Sequence, residues 1–266
     1  MMAVLARYAR LLRLQLGISA LTAMQYRADF LVRGLIAVLW MVVTLAPILI
    51  VFGVRQTVAG WTFPESLVVI GWFTLLHAVL EGAVSPSLTA VVEHVRRGTL
   101  DFVLLKPADA QFLVSTTKFA PWRIADAIAG VVIFVIAFHR LGRAPSPGAV
   151  GAAALLLGCA ALTLYSLWIL VISAAFFVVK IDNLSFLFVS IFDAARWPVD
   201  VFRGMLRAFF TVVVPLAVMT TFPARALLGT LSPLHALLAL CGAVAFALFA
   251  RLVWSRSIGH YTSASS

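Results

Sequence analysis

The sequence predicts an all-α membrane protein, and three observations lead to that prediction. Of the 266 residues, 63% are hydrophobic and only 11% are charged, and the mean hydropathy is +1.08. A soluble domain averages about 45–50% apolar and about 25% charged residues, so this chain lacks the polar side chains that would cover a folded surface in water. Its apolar residues also gather in runs of about 20, the length that lets a helix cross the hydrocarbon core.

Six runs of this kind give the predicted transmembrane helices. A helix satisfies its own backbone hydrogen bonds, which no other single segment can do in hydrocarbon. The predicted spans cover residues 31–53, 66–88, 122–139, 149–179, 181–197 and 234–254.

The stretch from residue 183 to residue 224 allows two interpretations, because Pro215 and Pro223 interrupt its second apolar part. Two complete helices would give seven crossings. One helix over 181–197, followed by a re-entrant extracellular hairpin over 198–224, would give six. With six crossings, 13 lysines and arginines fall on the side of the N-terminus and seven on the other. The excess of positive charge on cytoplasmic loops favours six spans with both termini in the cytoplasm.

Residues 1–28 predict an amphipathic helix that lies in the membrane interface. At about 100° per residue, Arg7, Arg10 and Arg13 keep to one arc and the apolar residues to the opposite one. A cytoplasmic extension of the first span is the alternative.

Several kinds of chemistry have no motif in this sequence. There is no G-x-x-x-x-G-K-[ST] phosphate loop, so the chain is not expected to bind ATP itself, and neither H-E-x-x-H nor G-x-S-x-G occurs. Cys159 and Cys241 lie in apolar runs without a nearby histidine or second cysteine. We therefore expect no catalytic residues, no metal and no cofactor in this chain. The net charge of +10 fits loops beside anionic lipid better than a nucleic-acid partner.

Ionisable residues inside the predicted spans are candidates for function, because each costs at least about 2.5 kcal/mol at the bilayer centre. His77 and Glu81 lie four residues apart in the second span and so share a helix face. They could line a translocation path, or they could pair and fix helix packing. Two other carboxylates each lie three residues from an arginine and predict local ion pairs, Asp126 with Arg123 and Asp193 with Arg196.

The connection between the second and third spans, residues 92–107, concentrates charge in a helix-compatible sequence. Such a segment could be a rigid helix that transmits motion from a docked protein, or a solvated loop; the residues alone leave both open. The residues that would make contact with a docked protein are Glu93, Arg96, Arg97, Gly98 and Asp101.

Two blocks of this sequence resemble a subfamily of bacterial ABC-2 permeases, the membrane subunits of ATP-driven exporters. The first reads R-G-T-L-D at 97–101 and L-L-K-P at 104–107, similar to an R-G-x-L-D…L-L-K-P motif. The second lies between residues 197 and 224. It contains Pro198, Arg203, Arg207, Pro215 and Pro223, which the resemblance assigns to the re-entrant hairpin.

The resemblance implies a function that spacing did not show. The loop after the second span would carry a coupling helix, about Val92 to Asp101, that docks an ABC ATPase. ATP and Mg²⁺ would be bound by that partner, present in two copies, and a second permease would complete a homodimer or a heterodimer. The location would be the bacterial inner membrane. Two alternatives stay open: a proton-coupled secondary transporter that uses His77 and Glu81, and a membrane scaffold or sensor that transports nothing.

Overall fold

A computed structural model describes residues 2–25, 27–177 and 181–260, and almost all of this part of the chain is helical. Besides turns and loops, the described residues contain one short antiparallel hairpin, β1 (Thr57–Val58) with β2 (Trp61–Thr62). The α-helices are α1 (Met2–Gln25), α2 (Arg27–Val54), α3 (Phe63–Val79), α4 (Ser85–Arg96), α5 (Asp101–Leu104), α6 (Ala110–Ser115), α7 (Ile124–Leu141), α8 (Pro147–Ser173), α9 (Ile181–Phe192), α10 (Gly204–Ala208), α11 (Phe222–Leu227) and α12 (Pro233–Ile258).

Five helical stretches in the described part of the chain are long and apolar enough to cross a membrane, which confirms an all-helical membrane protein. A sixth candidate is a bent pair, Gly204–Val213 and Ala217–Leu227, whose two halves meet at 72°. The five continuous stretches are Gly34–Val54, Phe63–Val95, Pro121–Leu141, Pro147–Ser173 and Pro233–Ile258.

The second of these stretches is much longer than the predicted span over 66–88. A π-helical turn, Leu80–Val84, joins α3 to α4 without a break, so the helix continues to Arg96. The 33 residues of Phe63–Val95 rise about 50 Å, against about 30 Å of hydrocarbon. The far end of this helix therefore extends well beyond the membrane core.

The densest packing joins α3 to α7 through two glycines. A Cβ atom built on Gly130 of α7 would lie 3.0 Å from the carbonyl oxygen of Gly71 in α3 and 3.0 Å from Leu75. Beside this contact, Trp72 packs edge-on against Phe134, with ring centroids 5.3 Å apart. The absence of a side chain at Gly130 lets the two backbones approach, which is how helices associate in lipid.

Two ends of the bundle can be distinguished by contacts between distant segments. At the first, here called the terminal end, Arg251 of α12 binds Asp109, and the hydroxyl of Tyr8 in α1 accepts the backbone N–H of Asp109 at 3.0 Å. At the opposite end, Arg143 donates to the carbonyl of Leu228 at 3.4 Å. Both described ends of the chain, α1 and the end of α12, therefore lie at the terminal end.

The helix α1 covers the connection between α4 and α7. Tyr8 packs edge-on against Phe112, with centroids 4.7 Å apart, and Arg7 donates to the carbonyl of Pro107. Further along, the hydroxyl of Ser19 accepts the backbone N–H of Phe119 at 3.2 Å. The predicted interfacial helix over 1–28 thus corresponds to α1, which packs on this connection; residues 1 and 26 lie outside the described residues.

The chain between α8 and α12 passes from the terminal end to the opposite end. Phe176, just after α8, packs against Trp254 near the end of α12, whereas Phe222 packs against His235 at its start. The helix that begins this passage, α9, has only 12 residues and rises about 18 Å. It is shorter than the predicted span over 181–197, because a 3₁₀ turn over Asp193–Arg196 replaces its last turn.

The glycine contact gives a stability prediction. Gly130→Leu should lower the midpoint of thermal unfolding in detergent, because the new side chain must enter occupied space, and overpacking costs about 1–3 kcal/mol. Gly158→Leu in α8 is the matched control, since a Cβ there has no neighbour within 4 Å. Equal midpoints for the two variants would contradict the close approach of α3 and α7.

Candidate functional site

The predicted docking residues lie where the long second helix ends. Gly98, with φ of +64°, takes the left-handed conformation that favours glycine and stops the helix. The backbone N–H of Thr99 then returns to the carbonyl of His94 at 2.9 Å, and the Thr99 hydroxyl lies 2.8 Å from Nδ1 of His94. One backbone hydrogen bond and one side-chain contact therefore hold the turn against the end of α4.

Exposed charged side chains lie before this turn and exposed apolar side chains lie after it. Arg97 and Glu93 form an exposed ion pair, with Nε and Oε1 2.5 Å apart. Phe102 is 72% exposed and Leu105 is 82% exposed. Leu100, which lies between the turn and Phe102, is fully buried. We call Glu93, Arg97, Phe102 and Leu105 the connector surface.

The other predicted docking residues can also be placed. Asp101 begins α5, and Gly98 forms the turn. Arg96 is the last residue of α4, but its side chain lies outside the described residues. The two exposed apolar residues, Phe102 and Leu105, were not among the predicted docking residues, although their spacing of three places them on one helical face.

A two-point ion pair anchors the connector surface to the last helix. The guanidinium of Arg251 reaches Asp109 twice, with Nη2–Oδ2 at 2.5 Å and Nη1–Oδ1 at 3.1 Å. Its Nη1 also donates to Gln111 at 2.8 Å, and Gln111 donates to the hydroxyl of Tyr165 in α8 at 3.0 Å. This network ties α6, α8 and α12 together. Such a two-point contact fixes geometry as well as supplying energy.

The same contacts change the acidity of Asp109. Partial burial alone would raise its pKa, but hydrogen bonds from Arg251 and from the backbone N–H of Phe112, together with the charge of Arg251, outweigh burial. They hold the pKa of Asp109 below its ordinary value of 3.8. The carboxylate is therefore ionised at neutral pH.

A second polar cluster lies where α3, the π-helical turn and α7 meet. Arg123 donates to Asp126 at 3.0 Å and reaches Glu81 at 3.4 Å, and His77 lies 3.6 Å from Asp126. The predicted pair of Arg123 and Asp126 is thus present. His77 and Glu81, expected to share a helix face, both lie beside the Arg123–Asp126 pair, with His77 near Asp126 and Glu81 near Arg123. Glu81 lies within the π-helical turn.

His77 and Glu81 also border different cavities. His77 lines a cavity of about 490 Å³ between α2, α3, α7 and α9, together with Asp193 and Arg196, whose predicted ion pair is present at 3.1 Å. Glu81 lines a larger cavity of about 670 Å³ beside α1. Among the described residues, no cluster of histidine, cysteine and carboxylate side chains could hold a metal ion.

A third cluster lies at the opposite end, on the segment predicted as the hairpin. The carboxylate of Asp200 accepts from Arg207 at 2.8 Å, from Arg225 at 2.6 Å and from the indole N–H of Trp61 at 3.1 Å. We call these four residues the Asp200 cluster. Of these four residues, sequence reasoning singled out only Arg207. Trp61 and Arg225 are distant from it along the chain, whereas Asp200 lies seven residues before it.

The remaining predicted hairpin residues mark changes of direction. Pro198 precedes a 3₁₀ turn, Pro215 lies at the 72° bend, and Pro223 lies in the first turn of α11. A proline cannot donate a backbone hydrogen bond, so it is tolerated where a helix starts or breaks. Arg203 is exposed just before α10.

Arg123 should be important for stability. Arg123→Gln leaves Asp126, which is 8% exposed, with His77 as its remaining described partner. We expect a loss of about 2–4 kcal/mol, slightly less than for a fully buried pair, because a quarter of the Arg123 side chain is exposed.

The double variant Arg123→Gln with Asp126→Asn should recover part of this loss in a thermal unfolding series, since the more buried of the two carboxylates that contact Arg123 no longer carries a charge, whereas Glu81 keeps its own. Arg97→Gln, in an exposed pair, should cost less than about 1 kcal/mol. A double variant no more stable than Arg123→Gln would contradict the assignment of the loss to an unpaired carboxylate.

Asp109 should hold the connector surface in place as an anion. Because its pKa is lowered in the folded protein, its contribution is fully present above pH 3.8 and is lost as pH falls through the lowered value. Asp109→Asn mimics the protonated form at neutral pH. It should raise hydrogen exchange of residues 101–115 severalfold, whereas Arg256→Gln, at the exposed end of α12, should not. Unchanged exchange in Asp109→Asn would show that the ion pair does not restrain this segment.

One comparison with known proteins gives the family, in agreement with the bundle and the residues described above. The family model described as "ABC-2 family transporter protein" matches residues 38–265, which is most of the chain. No curated protein and no solved structure matches the chain. The match confirms the resemblance at the level of the family, whose members are membrane components of ABC transporters that lack the ATPase site. This multi-pass membrane chain, with its five or six candidate spans, therefore belongs to the ABC-2 transporter family.

Proposed function

We propose that this chain is the permease subunit of an ATP-driven exporter and that the connector surface docks a separate ABC ATPase. The observation that carries this proposal is the exposure of Phe102 and Leu105 beside the charged pair of Glu93 and Arg97. Exposed apolar anchors ringed by polar residues are the usual composition of a protein interface. Arg96, Gly98 and Asp101 belong to the same proposed docking segment.

The position of the connector surface suits it to transmit force. It lies at one end of a helix about 50 Å long, which is longer than the membrane core is thick. It is also held to α12 through Asp109 and Arg251 and to α1 through Tyr8. Movement of a docked ATPase would therefore reach three helices of the bundle at once. Packed helices respond by switching between discrete arrangements rather than by bending gradually.

The topology we propose has six crossings with the terminal end in the cytoplasm. Passage of the chain from α8 to α12 across the bundle supports an additional crossing between them, made by α9 with the segment that follows it. The hairpin over 198–224 would then be extracellular and re-entrant. Described basic residues at the terminal end favour this orientation by the positive-inside rule. They include Arg7, Arg10, Arg13, Arg97, Lys106, Lys118, Arg251 and Arg256.

The complete transporter would contain two ATPase subunits, which bind ATP and Mg²⁺, and a second permease of the same or a related sequence. Its location would be the bacterial cytoplasmic membrane. The translocation path would run between the two permeases. In this chain, the cavity lined by His77 and Arg123 is the candidate for part of the translocation path. This cavity combines polar groups with the apolar helices α2 and α9.

Co-purification tests the docking surface. Arg97→Glu and Phe102→Glu, introduced separately into the tagged full chain, should each reduce the amount of ABC ATPase recovered from native membranes at least about tenfold. Each reverses or adds a charge at an exposed contact, where a hot-spot residue is worth about 2 kcal/mol or more. ATPase activity attributable to the complex should fall in parallel.

Arg256→Glu is the matched control, since it makes the same charge change at an exposed position of the terminal end. It should leave recovery unchanged, and all three variants should reach the membrane in equal amounts. Full recovery of the ATPase with both connector variants would overturn the assignment of the connector surface as the docking site. Transport that persists without any ATPase would overturn the proposal of an ATP-driven exporter.

A further inference from the structure

A cavity of about 480 Å³ lies beside the hairpin segment, between it, α8 and α12. Thr163 of α8 and Gly242 of α12 contribute to its wall, and the Asp200 cluster borders one part of it. The volume falls within the range of about 300–1,000 Å³ that is typical of ligand sites. This cavity is separate from the connector surface, which lies at the terminal end.

The charged part of the wall carries an excess of positive charge. Arg207 and Arg225 face a single carboxylate, Asp200, and His235 is the remaining titratable residue of the lining. Each guanidinium has five N–H donors, and the bond to Asp200 uses Nη2 of each arginine. Donors therefore remain for a second anion, and the paired arrangement suits the oxygens of a phosphate group.

Apart from Thr163 and Thr211, the rest of the wall is apolar and reaches the surface of the bundle. Val218, Phe222 and Phe246 line it, and Val212 and Leu238 are both exposed at its edge. In a membrane protein, exposed apolar side chains of this kind lie against acyl chains. The cavity therefore has a cationic part and an adjoining apolar part that is open to lipid.

We infer that this cavity binds an anionic phospholipid, with the phosphate at Arg207 and Arg225 and one acyl chain along the apolar wall. A free inorganic anion would use only the charged part, and a neutral lipid only the apolar part. An anionic amphiphile uses both. Asp200 and the ring of Trp61, which lies 5.6 Å from the guanidinium carbon of Arg225, hold that arginine in place when lipid is absent.

Native mass spectrometry of the full chain, delipidated in detergent, tests the inference. Phosphatidylglycerol should form a one-to-one adduct at least about tenfold more readily than phosphatidylcholine, and inorganic phosphate should form none. Arg207→Gln should reduce the phosphatidylglycerol adduct about tenfold. Arg203→Gln removes the same charge from the same hairpin but does not line the cavity, so it should leave the adduct unchanged.

A second variant blocks the apolar part without disturbing the fold. A Cβ atom at Gly242 has no neighbour within 4 Å, so Gly242→Leu places its side chain in open space and also favours the helix. It should abolish the adduct while thermal stability is kept.

Three results would overturn the inference. If phosphatidylglycerol and phosphatidylcholine formed adducts equally readily, Arg207 and Arg225 would not select an anionic lipid. If inorganic phosphate bound and the lipids did not, the cavity would be an anion site only. A change in the number of chains per particle in Gly242→Leu would make the cavity an interface between copies. None of these results bears on ATPase docking, because the connector surface lies at the other end of the bundle.

Discussion

The high cost of an unpaired charge in hydrocarbon organises this structure. Several described carboxylates within or next to the spans have a basic partner: Asp126 has Arg123, Asp193 has Arg196 and Asp200 has Arg225. Some of these contacts join segments that are distant along the chain, as when Arg123 also reaches Glu81 in the π-helical turn Leu80–Val84. Irregular backbone lies beside several of them, such as this π-helical turn and the 3₁₀ turn over Asp193–Arg196.

The two ends of the bundle use the same chemistry for different purposes. At the terminal end, Asp109 and Arg251 fasten a short, exposed segment to the last helix, and the result is a rigid surface suited to a protein partner. At the opposite end, the Asp200 cluster fastens a bent helical pair over a cavity. The two ion-pair clusters therefore stabilise different segments at opposite ends of the bundle.

Much of the fold could be predicted from the amino-acid sequence because the bilayer simplifies the problem. Helices are the single-segment solution in hydrocarbon, so runs such as 122–139 and 234–254 predicted α7 and α12 closely. Local pairs also followed from spacing, as with Asp193 and Arg196. The family could be identified as well, because its motifs are contiguous in the chain and the match over residues 38–265 confirms it.

The tertiary structure decided what depends on contacts between distant residues. His77 and Glu81 lie beside Asp126 and Arg123 respectively, more than 40 residues further along the chain, which the spacing of the first two cannot reveal. Arg251 lies 142 residues from Asp109, so no local sequence pattern could predict their pairing. The sequence by itself determined which long segments are apolar enough to cross a membrane, because hydropathy depends on composition. Which charges meet, and which apolar residues such as Phe102 stay exposed, was decided by packing, because burial is a property of neighbours in space.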